Sequence, residues 1–485
     1  MFDVSTLRRK FLGFGAALIT LSAINLARAE TLQDALGEAY QTNPQLLSER
    51  AHLRAVDENV PQALANWRPT VQFTGSAGSE RQTNSPYEPT LTYLLAPPGC
   101  PTPCGAGIPV TLPSSVPALN NLTPQTVDVN VTQPLYRGGR TVAQIAEAEK
   151  TVDAERARLV STEETVFFSV VQAYLDVVRD QSTLGLSINN EQLLRKQLES
   201  TEAQFHVGTV TRTDVAQAQA QLAGAVADRS QAEGNLQVSR ANYERAVGHL
   251  PPKLDATPVR PVLPRTRPEA LTLAANKNPN VIAALLTEDS QRDAIKVIRG
   301  QLLPTVSLVG DYQRLNDVAF QRSDQVDLSV EARMTVPLYE GGAVYSQTRQ
   351  AEQTLGQLKG QTDDARRAAV QGATQAWETI ASARGREIAL EQTVKAAEVA
   401  FEGTQEEQKV GTRTVLDVLI TEQQLFADRV NLVTTQHDLA VAEFTLSQQI
   451  GRLTAVDLRL KVNLYDVDKH YRDVRDKWIG FGASQ

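Results

Sequence analysis

Few residues in this chain could carry out covalent chemistry, and the sequence does not gather them. The histidines occur singly, with no nucleophile motif near any of them; they are His52, His206, His249, His437 and His470. An enzyme site needs a nucleophile, a base and an orienting group in one cluster. The histidines therefore favour no enzyme class, and we predict no catalytic, cofactor or metal site from them.

The two cysteines, Cys100 and Cys104, lie four residues apart in the segment CPTPC. In an exported protein, this spacing favours a disulfide that closes a small loop. A zinc site is the alternative, but it would need further ligands at useful spacing, and no histidine lies nearby. We therefore predict the disulfide and assign no metal.

Charge and composition narrow the class of protein. The 485 residues carry a net charge of -8, whereas nucleic-acid binding requires a basic face that displaces phosphate counterions. Only 5% of the residues are aromatic, and Ala, Gln, Glu and Arg are abundant. This composition is typical of long helices and coiled coils rather than of a catalytic domain.

The first residues predict export. Arg8, Arg9 and Lys10 precede a mostly apolar run, and Ala27 and Ala29 form an A-x-A cleavage site. The run over residues 11–26 is shorter than the roughly 20 residues that a membrane anchor needs. We therefore expect residues 1–29 to be a cleaved secretory signal, and no cysteine follows it for lipid attachment.

The sequence after the signal excludes a membrane-spanning helix, because it has no run of about 18 apolar residues. A closed β-barrel is the other structure that satisfies every backbone hydrogen bond inside lipid. A membrane role would therefore require such a barrel.

An internal repeat organises the chain. Residues 34–75 align without gaps on residues 269–310 at an offset of 235, and residues 127–248 align on a later segment at an offset of 203. The difference is a 32-residue insertion in the first half, where ten prolines lie between Pro86 and Pro124. The predicted units are repeat 1 (residues 30–250, with a long loop at 79–125), a proline-rich linker (251–268), repeat 2 (269–453) and a C-terminal segment (454–485).

Each repeat contains two segments in which apolar and polar residues alternate, and this period predicts β-strands. The apolar positions are Val71, Phe73, Ala77, Val127, Val129 and Val131 in the first repeat, and Val306, Leu308, Val326, Leu328, Val330, Ala332 and Met334 in the second. Taken singly, each hairpin could be soluble with one face on a core. Four strands would, however, leave exposed edges, which pairing with other copies of the chain would remove.

The remainder of each repeat predicts long helices. Proline is absent from residues 135–250 and after residue 338, and leucines recur every seven residues from Leu425 to Leu453. A helix from Arg140 to about His206 would be roughly 100 Å long. This helix should end at Val207-Gly208-Thr209, where the chain reverses, and a second, shorter helix should run back from about Thr213 to Val247. A further helix over residues 31–66 would extend the second helix to the length of the first.

This order of elements resembles the TolC outer-membrane efflux family over nearly the whole chain after the signal. The motifs that carry the resemblance are P-L-Y-x-G-G at 134–139 and 337–342, and V-G-T at 207–209 and 410–412, the latter followed by Asp417-Val418-Leu419. The resemblance implies a homotrimer in the outer membrane of a Gram-negative bacterium, with a 12-stranded β-barrel in the lipid and a helical barrel in the periplasm. It also implies a passive exit duct for a tripartite efflux pump or a type I secretion system. The partners would be a periplasmic membrane-fusion adaptor and an inner-membrane transporter of the RND or ABC type.

The same resemblance implies a gate at the periplasmic tip. Thr213 and Asp214 match acceptors of the links between neighbouring helix pairs, and Arg413 matches a donor. A guanidinium can bind a carboxylate through two hydrogen bonds, yet such a pair near water is weak, as a latch that opens must be. Gln408 occupies a position where the family often has tyrosine, so one link of the latch is altered.

The family's pore constriction and docking turns can be placed in the same way. Asp417 matches the first pore aspartate, and the second position is Ile420, so the acidic ring is thinner here. The alternative role for Asp417 is a charge favoured at a helix N-terminus. Both V-G-T turns, at Val207, Gly208 and Thr209 and at Val410, Gly411 and Thr412, match the docking points of the adaptor, although glycine there also serves as a helix cap.

The main alternative is a soluble periplasmic helical scaffold or adaptor, which would also use coiled-coil hairpins. Such a protein has no reason to carry amphipathic β-hairpins duplicated in register. The residues do not identify the cargo, because the inner-membrane pump would select it.

Overall fold

The computed structural model describes residues 29–83, 93–95, 108–110, 119–257, 259–318 and 322–482. The predicted signal, apart from Ala29, lies outside the described residues, and so does the predicted disulfide between Cys100 and Cys104. The described residues form a mainly helical chain with a small antiparallel sheet, as the sequence predicts.

Ten α-helices are present in the described residues. They are α1 (Leu32–Thr42), α2 (Pro44–Asp57), α3 (Asn59–Ala65), α4 (Arg140–His206), α5 (Arg212–Val247), α6 (Arg267–Lys277), α7 (Pro279–Arg299), α8 (Ala343–Lys409), α9 (Val415–Gln449) and α10 (Lys469–Val474). The prediction of a helix from Arg140 to His206 is confirmed. At about 1.5 Å per residue, α4 and α8 are each roughly 100 Å long.

The prediction of one helix over residues 31–66 is wrong, because this segment is divided into α1, α2 and α3. Pro44 has no N–H to continue α1, and Asn43 ends one helix and begins the next. The Asn43 side chain accepts a hydrogen bond from Gln45 N at 3.0 Å. The second repeat is interrupted in the same way at Asn278-Pro279, between α6 and α7.

The strands of the two repeats join in one sheet. The described strands are β1 (Thr70–Ala77), β2 (Glu80–Thr83), β3 (Tyr93–Leu95), β4 (Ile108–Val110), β5 (Leu119–Leu122), β6 (Gln125–Arg137), β7 (Thr305–Asn316) and β8 (Asp324–Thr335). The main sheet has the order β1-β6-β7-β8 with every pair antiparallel, while the insertion adds the pairs β2–β5 and β3–β4. Both predicted hairpins are therefore present.

The register of the sheet separates its two faces. One cross-strand row contains Phe73, Val129, Tyr312 and Leu328, and the adjacent row contains Thr74, Asp128, Gln313 and Asp327. Successive residues of a strand point to opposite faces. All four strands therefore contribute to one apolar face and one polar face. The apolar face is open in the single chain, where Phe73 is 70% and Leu328 is 77% exposed.

The repeated P-L-Y-x-G-G motif has different structures in the two repeats. In the first repeat, β6 continues through Tyr136 and Arg137, which pair with Val306 and Thr305 across a bulge. In the second repeat, β8 ends at Thr335, before the motif begins. The difference follows from register, since β7 begins at Thr305, which lies opposite Arg137 of β6 on one side and opposite Thr335 of β8 on the other.

Two apolar cores hold the helices. The larger core contains the side chains of Leu36, Phe167, Tyr174 and Tyr243 from α1, α4 and α5. The corresponding core of the second repeat is richer in alanine and is centred on α6, α8 and α9. The predicted seven-residue column is confirmed for Leu425, Leu439, Leu446 and Leu453, which are buried. Arg229 interrupts the matching column in the first repeat and pairs with Glu191 at 3.0 Å.

The chain after α9 packs back on the first repeat. The backbone N–H groups of Leu453 and Ala455 donate to the carboxylates of Glu164 at 3.1 Å and Glu163 at 2.7 Å. Further along, His470 Nδ1 lies 3.1 Å from an Asp57 carboxylate oxygen. No helix within the described residues is long and apolar enough to cross a membrane.

Candidate functional site at the helix-turn tips

The two V-G-T turns have the same local structure. Gly208 and Gly411 adopt φ values of 80° and 82°, in the left-handed region that favours glycine. The following threonines, Thr209 and Thr412, each donate their backbone N–H to a carbonyl of the preceding helix at 3.0 Å. Their hydroxyls donate to the same carbonyls. These bonds close the carbonyl end of each long helix and reverse the chain within a few residues.

Each returning helix begins with a capping box. In α5, Thr211 N donates to Asp214 Oδ2 at 2.7 Å, and in α9, Thr414 N donates to Asp417 Oδ2 at 2.9 Å. The aspartate N–H groups donate back to the threonine hydroxyls at 3.3 Å and 3.2 Å. This reciprocal pattern satisfies two N–H groups that a helix start would otherwise leave unpaired. Asp214 and Asp417 therefore have a structural role within one chain.

The electrostatics of Asp417 follow from this cap. Hydrogen bonds from the Thr414 backbone N–H and hydroxyl lower the pKa of Asp417, and the nearby Arg413 charge lowers the pKa further. The carboxylate is therefore held in its charged form. All of the capping bonds use Oδ2, so the cap leaves Oδ1 available for another interaction. Asp417 is partly exposed, and Ile420, one turn further along α9, is exposed.

The structure brings Arg413 to a residue that the sequence analysis did not name. Arg413 Nε donates to Glu407 Oε2 at 3.0 Å across the turn, and this bond raises the pKa of Arg413. Within the single chain, Arg413 makes no ion pair with Asp214. Thr213 is exposed on the first turn of α5, and Gln408 is half-buried on the last turn of α8. Glu407 could have been found from the sequence, because it is a carboxylate four residues before the turn glycine Gly411 and so lies close to Arg413 across the turn.

The two tips of one chain lie side by side. An apolar cluster joins Leu194 of α4 and Ala218 of α5 to Val415 and Leu419 of α9. At the extreme end, Val207 and Val410 are each 75% exposed. The turns thus present apolar side chains to solvent beyond this cluster.

A buried acid lies behind the tips and was also missed. A cavity of about 500 Å³ between α4, α5 and α9 is lined in part by Glu422, whose side chain is only 3% exposed. Burial raises the pKa of Glu422 to about 7, and its Oε1 has no hydrogen-bond partner among the described residues. The sequence signal was a charged residue between Leu419 and Leu425 in the apolar stripe of α9.

Comparison with known proteins agrees with this architecture. A family model described as "Outer membrane efflux protein" matches residues 35–249 and 270–452. The outer membrane efflux protein BepC of Brucella suis is 32% identical over 470 residues, covering 96% of each chain. The outer membrane protein TolC of Vibrio cholerae is 29% identical over 452 residues, covering 91% of this chain and 95% of TolC.

A solved structure shows the same fold. The outer membrane protein VceC of Vibrio cholerae matches with a TM-score of 0.71 at 19% identity, over 87% of this chain and 96% of VceC. These similarities do not favour the soluble scaffold or adaptor. The chain belongs to the outer membrane efflux protein family, as an outer-membrane protein of the TolC type from a Gram-negative bacterium.

Proposed function

We propose that the protein is the outer-membrane duct through which a tripartite efflux pump or a type I secretion system expels its cargo. The observation that carries this proposal is the sheet, in which all four strands share one apolar and one polar face. A spanning barrel needs this separation between lipid and an aqueous interior. The duct performs no covalent chemistry, because the inner-membrane partner supplies the energy.

A homotrimer completes the sheet. Strands β1 and β8 are the edges of the sheet in one chain, and exposed edges favour pairing with another chain. Because four strands alternate in direction, β1 of one copy is antiparallel to β8 of the next. Three copies would close a 12-stranded barrel, and the long helices α4, α5, α8 and α9 would continue it as a periplasmic tube.

The tips form the gate in this proposal. When the gate closes, Arg413 gives up its exposed hydrogen bond with Glu407 and bonds instead to the acceptors Thr213 and Asp214 of a neighbouring helix pair. Gln408 lies beside this link. Exposed ion pairs contribute at most about 1 kcal/mol, so the exchange is easily reversed. The three copies of Asp417 would converge as an acidic ring in the pore.

The exposed turns are the docking points for the adaptor. Val207 and Val410 offer apolar contacts, and Gly208 and Gly411 allow close approach of a helical hairpin. The inner-membrane transporter, of the RND or ABC type, then joins the assembly through the adaptor. Each of the two repeats thus provides one strand pair for the lipid and one helical hairpin for the gate.

The test is to purify the full chain, after signal removal, in mild detergent and to measure its mass and its conductance in planar bilayers. We expect a trimer by light scattering and discrete ion-conducting steps. A monomer that conducts no ions would contradict the duct. Recovery of the protein in the soluble periplasmic fraction would instead support the scaffold alternative.

A further inference from the structure

Three potential metal ligands meet where the first repeat begins and ends. Glu30 precedes α1, Glu38 lies on α1, and His249 follows α5, yet one ligand atom from each lies within 4.8 Å of the others. His249 Nε2 is 3.2 Å from a Glu38 oxygen and 3.5 Å from a Glu30 oxygen. The sequence gives no motif for this cluster, because its ligands come from opposite ends of the repeat.

The orientation of His249 suits metal binding. Its Nδ1 lies 2.9 Å from the carbonyl oxygen of Leu250, so Nδ1 carries a proton and donates to that carbonyl. Nε2 faces both carboxylates; without an ion it can donate its own proton to them, and a metal ion would bind in place of that proton. Histidine ligands of metals are usually fixed in this way, by a second hydrogen bond to a carbonyl or carboxylate. Tyr243 packs edge-on against the ring at 5.8 Å and limits its rotation.

The spacing of the ligand atoms also fits. Zinc binds nitrogen and oxygen at about 2.0–2.1 Å in a tetrahedron, so neighbouring ligand atoms lie about 3.3 Å apart. The two distances from His249 Nε2 are 3.2 and 3.5 Å. One nitrogen and two carboxylate ligands, with a water as the fourth, would complete such a site.

Two carboxylates face one histidine, which is charged only when it is protonated. Within the described part of the chain, neither Glu30 nor Glu38 forms an ion pair with a lysine or arginine. The Glu30 side chain is only 11% exposed. Burial raises the pKa of Glu30 and the nearby Tyr243 hydroxyl partly offsets this, while Oε2 is buried without a donor at full hydrogen-bonding geometry. A buried carboxylate is costly unless it is paired or bound to a metal.

We propose that Glu30, Glu38 and His249 form a binding site for a divalent transition-metal ion of the zinc class. A nitrogen ligand favours zinc over magnesium or calcium, which bind through oxygen. The backbone already joins these segments, since Glu30 N donates to Lys253 O at 2.8 Å and Asp255 N donates to Glu30 O at 3.0 Å. The ion would therefore clip the start of the first repeat to its end, beside the linker.

The experiment compares the full chain, after signal removal, with single variants, all without a histidine tag. The protein is stripped with a chelator, titrated with zinc chloride, and assayed for bound zinc and for thermal unfolding. We expect about one zinc ion per chain and a higher Tm with zinc, as for metals that bind the folded state. His249→Gln and Glu38→Gln should each weaken zinc binding at least about tenfold and remove the zinc-dependent rise in Tm.

His52→Gln is the matched control, because His52 also faces a carboxylate, that of Glu155 at 3.4 Å, but forms no second ion pair within the described part of the chain. It should leave zinc binding unchanged. If the parent chain binds no zinc at micromolar concentration, or if His249→Gln binds as much as the parent, the cluster is an ion pair only and the proposal is overturned.

Discussion

Glu422 is a buried acid that has no ion pair within the described residues. It lies in the cavity between α4, α5 and α9, and burial raises its pKa to about 7 without a compensating charge. A raised carboxyl pKa means that the folded chain holds the proton more tightly than the unfolded chain. The folded state is therefore favoured at low pH, and this contribution is lost as pH rises from about 4.5 to about 7.

Glu422→Gln should remove this pH dependence. We expect a gain in stability on the order of 2 kcal/mol at pH 8 and a much smaller change at pH 5, because glutamine has no charge to desolvate. Denaturant unfolding at both pH values measures it. Asp228→Asn is the control, since Asp228 lines the same cavity but is exposed. If Glu422→Gln changes the free energy of unfolding equally at both pH values, ionisation of Glu422 does not destabilise the folded chain and the argument is wrong.

Asp417 combines a cap with the proposed pore charge, and one substitution separates them. Asp417→Asn retains an oxygen that can accept from Thr414 N but removes the negative charge. We expect block of the channel by multivalent cations to weaken, since the converging charges are gone. Single-channel recordings measure this. Asp228→Asn, which removes an exposed charge on α5 outside the proposed gate, should not change the block; unchanged block in Asp417→Asn would assign that residue to capping alone.

Arg413 is the proposed latch donor. Arg413→Ala should raise single-channel conductance, because it removes a link that holds the tips together. Lys409→Ala is the control, as Lys409 forms a comparable exposed pair with Glu406 at 2.7 Å on the same turn of the chain. Identical conductance in Arg413→Ala and the parent protein would exclude Arg413 from the gate.

At the scale of single elements, glycine is required at the tips because the backbone adopts a positive φ there, and not because a side chain would clash. A Cβ at Gly411 would meet no atom within 4 Å, but the φ of 82° is unfavourable for alanine. Gly411→Ala should therefore destabilise the tip by about 1–2 kcal/mol. Gly403→Ala adds the same methyl group inside α8, where space is also open, and should stabilise by about 0.5–1 kcal/mol. Hydrogen exchange at the tip measures both, and effects of the same sign would contradict this argument.

Some helices and strands could be predicted from the sequence, and others could not. The long helix Arg140–His206 matches the prediction of a helix from Arg140 to about His206, because glycine ends it and proline is absent within it. The break at Asn43-Pro44 was missed although proline marked it, since the required length favoured one continuous helix. The unequal ends of β6 and β8 could not be predicted from identical motifs, because they depend on the register with which each strand pairs with β7.

The residues of the candidate site could likewise be predicted only in part. For Asp417 the sequence offered a charge at a helix N-terminus as the alternative role, and the structure places it in a capping box. Asp214 was named only through the family resemblance, as a gate acceptor, and its cap was not predicted. Glu407, Glu422 and the pairing of Glu30 with His249 were missed. Their roles arise from contacts across a turn, a groove or the whole repeat, which no short motif records.

At the scale of the whole molecule, the open edges of the sheet give the sharpest test of assembly. Leu328 on β8 and Phe73 on β1 belong to one apolar row whose two ends lie at opposite edges of the sheet. If three copies close the sheet, the β8 edge of one copy meets the β1 edge of the next. Opposed residues of an antiparallel pair then have Cβ atoms about 4.5–5.5 Å apart, close to what a disulfide spans.

We therefore expect Leu328→Cys, combined in turn with cysteine at Val71, Phe73 or Gly75, to form disulfide-linked trimers on oxidation for at least one pair. The three positions allow for the stagger between strands that a barrel requires. Cys100 and Cys104 are replaced by serine in every variant, and the products are resolved by non-reducing gel electrophoresis. Leu328→Cys with Val129→Cys is the control, because β6 has strands on both sides and cannot reach another copy. Monomers from all three edge pairs, with a monomeric mass in detergent, would show that the edges do not meet.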